Sequence, residues 1–284
     1  MTRKRTSRRP TRRRAPYLMP LLITLAILAA GCIWAAHTWH KNQGTPNTPA
    51  ISTKAEDLQQ VAIPANLPSQ TKHYEGFTVD FNASNRTANC VSWELLGTET
   101  DGESSRSGEK FWQDPDIKNC PRTSDYTRSG YDRGHLYPAA DAKWSPQSMT
   151  QCFTMANITP QVHALNGGAW KTLEDKERQW AQRDSALIII AGPLYTPDDK
   201  LRIGQAGVRV PSAFFKVLLA PYLDNPRAIA FIYPNTHCPG NMENYACTVD
   251  YVESLTGFDF FSSLPDDTEN AIESAYSFKD WNKR

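Results

Sequence analysis

The residues able to do chemistry are concentrated in the middle of the chain: Tyr131-Asp132-Arg133-Gly134-His135, then Asn157, Asn166, Glu174 and Arg178. Such a set suits phosphodiester hydrolysis, which needs an activated water, a cation on the phosphate and stabilisation of the leaving oxygen. His135 can be the base, because imidazole titrates near neutral pH; alone, a histidine after Gly134 would as readily be satisfied in a turn. Asn166, ahead of Gly167-Gly168, either caps a helix or offers its amide oxygen to Mg2+, which prefers oxygen ligands and keeps several waters. Glu174 lies eight residues on, ~80° around a helix and ~12 Å along it, so it suits holding water around the cation better than touching the cation. Arg178 is placed for an i,i+4 ion pair with Glu174 or for a phosphate.

Two further arginines are candidates, since guanidinium contacts phosphate in bidentate fashion. Arg133 sits beside the base, although it can instead pair with Asp132 or a core carboxylate. Arg106 lies in a long polar loop, where Arg122 or Arg128 can serve in its place. Asp132 is read as orienting its neighbours. Asn157 either supports the geometry of the site or ends a strand in a turn.

Elements must position these groups. Alternation predicts strands over 76–81 and 91–96, and 98–128 reads as a surface loop. Residues 149–158 suggest another strand, and 166–183 carry Trp170, Leu173, Glu177 and Trp180 at helical spacing. Buried strands are expected over 186–191, ended by Gly192-Pro193, and over 214–219 and 228–233. Short helices are expected over 250–255 and within 265–278. Many strands with few intervening helices predict an α+β fold with an antiparallel sheet.

Several ordered blocks carry a resemblance. SGYDRGHLYPAAD (129–141), MANITPQ (155–161), LNGGAWKTLEDKER (165–178), VPSAFFKVLL (210–219) and ESLTGFDFF (253–261) resemble the DNA/RNA non-specific endonucleases of the ββα-metal (His-Me finger) superfamily, which includes endonuclease G. The resemblance spans roughly 74–265. It implies a central antiparallel sheet flanked by helices, and sugar-non-specific cleavage of DNA and RNA. It implies His135 as general base, Asn166 as the single direct protein ligand of one Mg2+ (Mn2+ substituting), and Glu174 behind it. It also implies Asn157 as a support of the site geometry and Arg106 on the substrate phosphate; Arg133 is placed in the catalytic group, and Arg178 on the substrate, by their position and guanidinium chemistry. A homodimer is compatible with it.

The rest of the chain constrains place and partners. Residues 1–16 carry eight Lys/Arg and no acid, which leaves 23 basic against 30 acidic residues beyond them. The body is therefore acidic and offers no broad basic surface for nucleic acid. An uncharged stretch, 17–36, follows the basic start and predicts a single-pass anchor with the catalytic domain outside the cytoplasm, periplasmic or extracellular. A cleaved signal peptide shares that pattern, and Ala29-Ala30-Gly31-Cys32 resembles a lipoprotein box. Residues 37–73 read as a flexible stalk, with the nuclease domain over 74–284. Export permits disulfides, and Cys238–Cys247 and Cys90–Cys120 are the pairs expected, with Cys152 a buried free thiol. Composition excludes a disordered or repetitive chain, and no GxSxG supports a serine hydrolase. Two other readings remain open: hydrolysis of small phosphodiesters on the same scaffold, and a silent binding module.

Overall fold

The computed structural model describes residues 48–283. The apolar run 17–36 and Cys32 lie outside the described residues. Strands β1 (Gln70–His73), β2 (Thr78–Asn82) and β3 (Thr87–Leu96) form a meander. A long loop then leads to β4 (Asp132–His135), helix α1 (Pro146–Cys152), β5 (Ile158–Gln161) and helix α2 (Lys171–Asp184). Strands β6 (Ala186–Leu194), β7 (Ala213–Ala220), β8 (Arg227–Pro234) and β9 (Ala246–Cys247) follow, then helices α3 (Val249–Thr256) and α4 (Asp266–Glu273).

One seven-stranded sheet runs β9-β8-β7-β6-β3-β2-β1, antiparallel throughout. Side chains alternate across it. Val91, Trp93, Leu95, Leu187, Ile189 and Phe214 line a first core, closed by Leu173, Trp180 and Ala181 of α2. Ile188, Ile190, Phe215, Val217 and Leu219 line a second, closed by Leu58, Val249, Val252 and Ile272. Because both faces are buried, the central strands read as continuous apolar runs, where a half-exposed antiparallel sheet would alternate. Each fully buried Leu, Ile or Phe contributes ~2 kcal/mol. Beside the sheet, β4 pairs with β5 from Asp132↔Gln161 to His135↔Ile158, and α2 follows to complete a ββα unit.

Three expectations are corrected. Residues 146–152 form α1 where 149–158 was expected extended: Ser145 Oγ accepts from the N–H groups of Gln147 and Ser148, with Pro146 in the first turn. That local cap outweighs an apolar run, and the strand begins only at Ile158. The stalk expected over 37–73 is corrected for its described part. Leu58, at the end of the Ala55–Leu58 helix, enters the second core, Val61–Ala62 pairs with Asp259–Phe260, and β1 extends the main sheet. Elements of two to four residues leave no periodicity to read. Neither disulfide exists: Cys90 and Cys247 lie in the second core, Cys120 and Cys238 in the first, so each expected pair would have to cross the sheet. Cys152 is a buried thiol, and burial raises its pKa.

Candidate active site

His135 ends β4. The residue before it has to be glycine, because a Cβ on Gly134 would run into the side chain of Gln161 across the hairpin, its Cγ only 2.6 Å away. The His135 ring sits between Phe111 and Phe153, with ring centroids at 5.4 and 5.0 Å. Its Nε2 is buried and has no hydrogen-bond partner. Burial, helped by the charge of Arg106, lowers the imidazole pKa to about 3. The ring is thus a neutral imidazole with an unpartnered nitrogen. The chain leaving it is clamped by Asn157, wholly buried. Asn157 accepts from the N–H of Tyr137 through Oδ1 (2.9 Å) and donates through Nδ2 to the carbonyls of Tyr137 (2.9 Å) and Cys152 (2.8 Å). All the side-chain hydrogen bonds of Asn157 thus go to backbone groups.

Asn166 lies in an irregular turn, Leu165–Trp170, that is kinked at Gly168 and leads into α2. Its Nδ2 donates to Asp132 Oδ2 at 2.9 Å, which leaves the amide oxygen to face elsewhere. The same Asp132 oxygen meets Nδ1 of exposed His163 at 2.8 Å. Asp132 thus links the strand that carries His135 to the turn that carries Asn166. Glu174, half-buried on α2, has its carboxyl pushed up to about 8 by burial, with Glu177 and Asp141 adding to the effect and Lys216 and Arg178 opposing it.

The arginines divide. Arg178 is paired away from Glu174: it meets Asp141 Oδ1 at 2.8 Å and also bonds Asp175. Asp141 itself accepts from Trp93 Nε1 at 3.2 Å. Arg133 makes no ion pair with Asp132; it donates to the carbonyl of Thr123 at 2.7 Å and lies over the rings of Phe111 and Tyr126. Arg106 is exposed, rests over the Phe153 ring at 5.9 Å, and its charge reaches His135. The structure therefore gathers Arg106, Arg133 and His135 around Phe111 and Phe153. It gathers Glu174 and Arg178 with Asp141, and holds Asn166 through Asp132.

Four contributors escaped the sequence analysis: His163, Asp141, Glu177 and Lys216. Lys216 is fully buried, 2.7 Å from Glu177 Oε2, with its ammonium 4.7 Å from the Trp170 ring. A lone lysine inside the apolar run of β7 was the signal that could have found it.

The donor set fits a weakly held, hard divalent cation. An amide oxygen with carboxylates nearby suits such an ion. Among the described residues, no trio of His, Cys, Asp and Glu side chains at this site has converging ligand atoms, which disfavours a zinc-type cage.

Residues 54–267 match the family model for DNA/RNA non-specific endonuclease. The chain is 34% identical to nuclease C1 of Cunninghamella echinulata var. echinulata over 231 residues, covering 75% of this chain and 90% of that one. It is 29% identical to the mitochondrial nuclease EXOG of Xenopus laevis over 268 residues, covering 88% of this chain and 74% of that one. The crystal structure of an EndoG/EndoGI complex superposes with a TM-score of 0.67 at 24% identity, over 77% of this chain and 96% of that one. This likeness establishes a shared fold, with its antiparallel sheet and flanking helices. The expectation of a single-pass, exported domain is corrected: the relatives include a mitochondrial nuclease, and among the described residues no helix is long and apolar enough to cross a membrane.

Proposed function

The chain belongs to the DNA/RNA non-specific endonuclease family and is a metal-dependent phosphodiester hydrolase, and from that premise we propose how its own residues divide the work. His135 takes the proton of the attacking water. The observation that carries this is the buried Nε2 of His135, which has no hydrogen-bond partner and so is free to take up a proton. Asn166 holds the cation through the amide oxygen that its bond to Asp132 leaves free. Mg2+ is the ion we assign, with Mn2+ able to replace it, and it supplies positive charge at the scissile phosphate and the leaving oxygen.

The other residues keep these two groups aligned. Glu174 would hold water beside the bound cation, and Arg178, tied to Asp141 and Asp175, fixes the wall behind Glu174. Arg106 is the exposed guanidinium beside the base and contacts the substrate phosphate. Arg133 buttresses Phe111 against the His135 ring. Asn157 holds the backbone after the base. A site addressing phosphate and cation reads neither base edges nor the 2′-hydroxyl strongly, which accounts for tolerance of both sugars.

Digestion of plasmid DNA and of RNA with Mg2+, with EDTA and by the His135→Ala variant tests the assignment. We expect both polymers to be cut with Mg2+, neither in EDTA, and a loss of about 100-fold or more in the variant with an unchanged melting temperature in Mg2+. Retention of more than about a tenth of the wild-type rate by a folded variant would remove His135 as the base, since general-base loss costs far more than that.

A further inference from the structure

On the sheet face away from the active site, α3 and α4 bring together Asp250, Glu253 and Glu273. One carboxylate oxygen of each lies within 4.8 Å of the others. Asp250 and Glu253 are three residues apart and share a face of α3. Glu273 is the last residue of α4, where the helix's own carbonyls add negative potential.

Acidic clusters are common on protein surfaces, and three carboxylates alone would call for no ligand. Glu273 is what sets this one apart. It is 5% exposed, and its Oε1 is buried without a hydrogen-bond partner. The charged groups bearing on it are themselves acids: Glu253, Glu269, Asp250 and Asp259. A desolvated carboxyl in such company either keeps its proton or faces a cation.

The geometry favours the cation. Oxygens on one ion at the 2.3–2.6 Å typical of Ca2+ lie at most about 5 Å apart, the separation these three already have. Glu253 is fixed in place, because its Oε1 accepts the N–H of Phe260 at 2.8 Å and its second oxygen is left for a ligand. Asp250 is at the exposed rim, so water can complete the six to eight ligands that Ca2+ takes.

We propose that Asp250, Glu253 and Glu273 form a second divalent-cation site, of a size that suits Ca2+, that clamps α4 to α3. The site has no part in catalysis. It holds the helical layer over the second core, in which Val249, Val252 and Ile272 are buried.

Thermal melts of the full chain with added CaCl2 test this, alongside Asn166→Ala to remove the contribution of the active-site cation. We expect a saturable rise in Tm of about 5 °C in both proteins. Glu273→Gln and Asp250→Asn should each abolish it, while Glu273→Gln retains wild-type nuclease activity in Mg2+. Absence of a Ca2+-dependent shift in the wild type overturns the proposal, and so does a shift of equal size in Glu273→Gln. Should Glu273→Gln fail to fold, Asp250→Asn, altered at the exposed rim, decides the same question.

Discussion

At the scale of single residues, burial acts on the two titrating groups of the active site in the same sense: it makes both neutral. His135 is lowered to about 3 and Glu174 raised to about 8, so near pH 7 the site without its cation carries neither charge. For Glu174 the consequence for stability has a definite sign. Its folded pKa lies above the ordinary carboxylate value, so between about 4.5 and 8 the folded chain binds the more protons and loses stability as pH rises. The penalty is complete above pH 8 and absent below about 4.5. Glu174→Gln should therefore raise Tm in EDTA at pH 8.5, leave it unchanged at pH 4.5, and lower activity at least 10-fold in Mg2+. Equal gains at the two pH values would show that the carboxyl's charge is not the cause. At this scale the sequence was most legible where the residues are contiguous: Asp132 to His135 lie on one strand, and a turn and helix supply Asn166 and Glu174. The partners of Arg178 were not legible. Asp141 is 37 residues from it, and only the fold could show that Arg178 turns there and to Asp175, leaving Glu174 without its i+4 partner.

At the scale of elements, the site depends on how closely β4 approaches β5. Gly134 opposes Thr159 in the register, and the side chain of buried Gln161 fills the space a Cβ would need. Gln161 cannot swing into solvent, so Gly134→Ala must move one strand away from the other. Overpacking of this kind costs about 1–3 kcal/mol, and the displaced strand ends in the base. We expect Gly134→Ala to lower Tm by several degrees and kcat by at least 10-fold while Mg2+ affinity changes less, because Asn166 is carried by the turn after β5. Calorimetry and steady-state kinetics would separate the two effects; wild-type kcat with reduced Tm would mean that His135 keeps its place by other contacts. The elements themselves were read with uneven success, for physical reasons. Strands β6 to β8 and helices α2 and α3 announce themselves through period and length. Helix α1 is fixed by the Ser145-Pro146 cap, a signal of two residues set against a longer apolar run, and the pieces before Tyr74 are too short to have a period.

At the scale of the molecule, an acidic body cleaves a polyanion. Beyond residue 16 the chain has 23 basic and 30 acidic residues, and the structure commits much of its positive charge internally. Arg178, Arg183, Arg227 and Lys216 are all paired with carboxylates. Arg133 is occupied by a carbonyl and two rings, whereas Arg106 is exposed and rests over Phe153 beside the His135 ring. With Arg106 as the proposed phosphate contact and an acidic body around it, binding is expected to depend weakly on salt. Each neutralised phosphate contributes about −0.9 to the slope of log K against log salt. For His135→Ala lacking residues 1–16, titrated with duplex DNA in Mg2+ between 50 and 200 mM salt, we expect a slope of about −2 to −3. Restoring residues 1–16, with their eight basic side chains, should steepen it. A slope near −6 without that stretch would require a continuous cationic track, and the description of Arg106 as the principal exposed contact would fail. Either slope is compatible with the lack of sequence preference, since phosphate contacts carry no sequence information and a site that reads no base edges has little with which to tell one sequence from another.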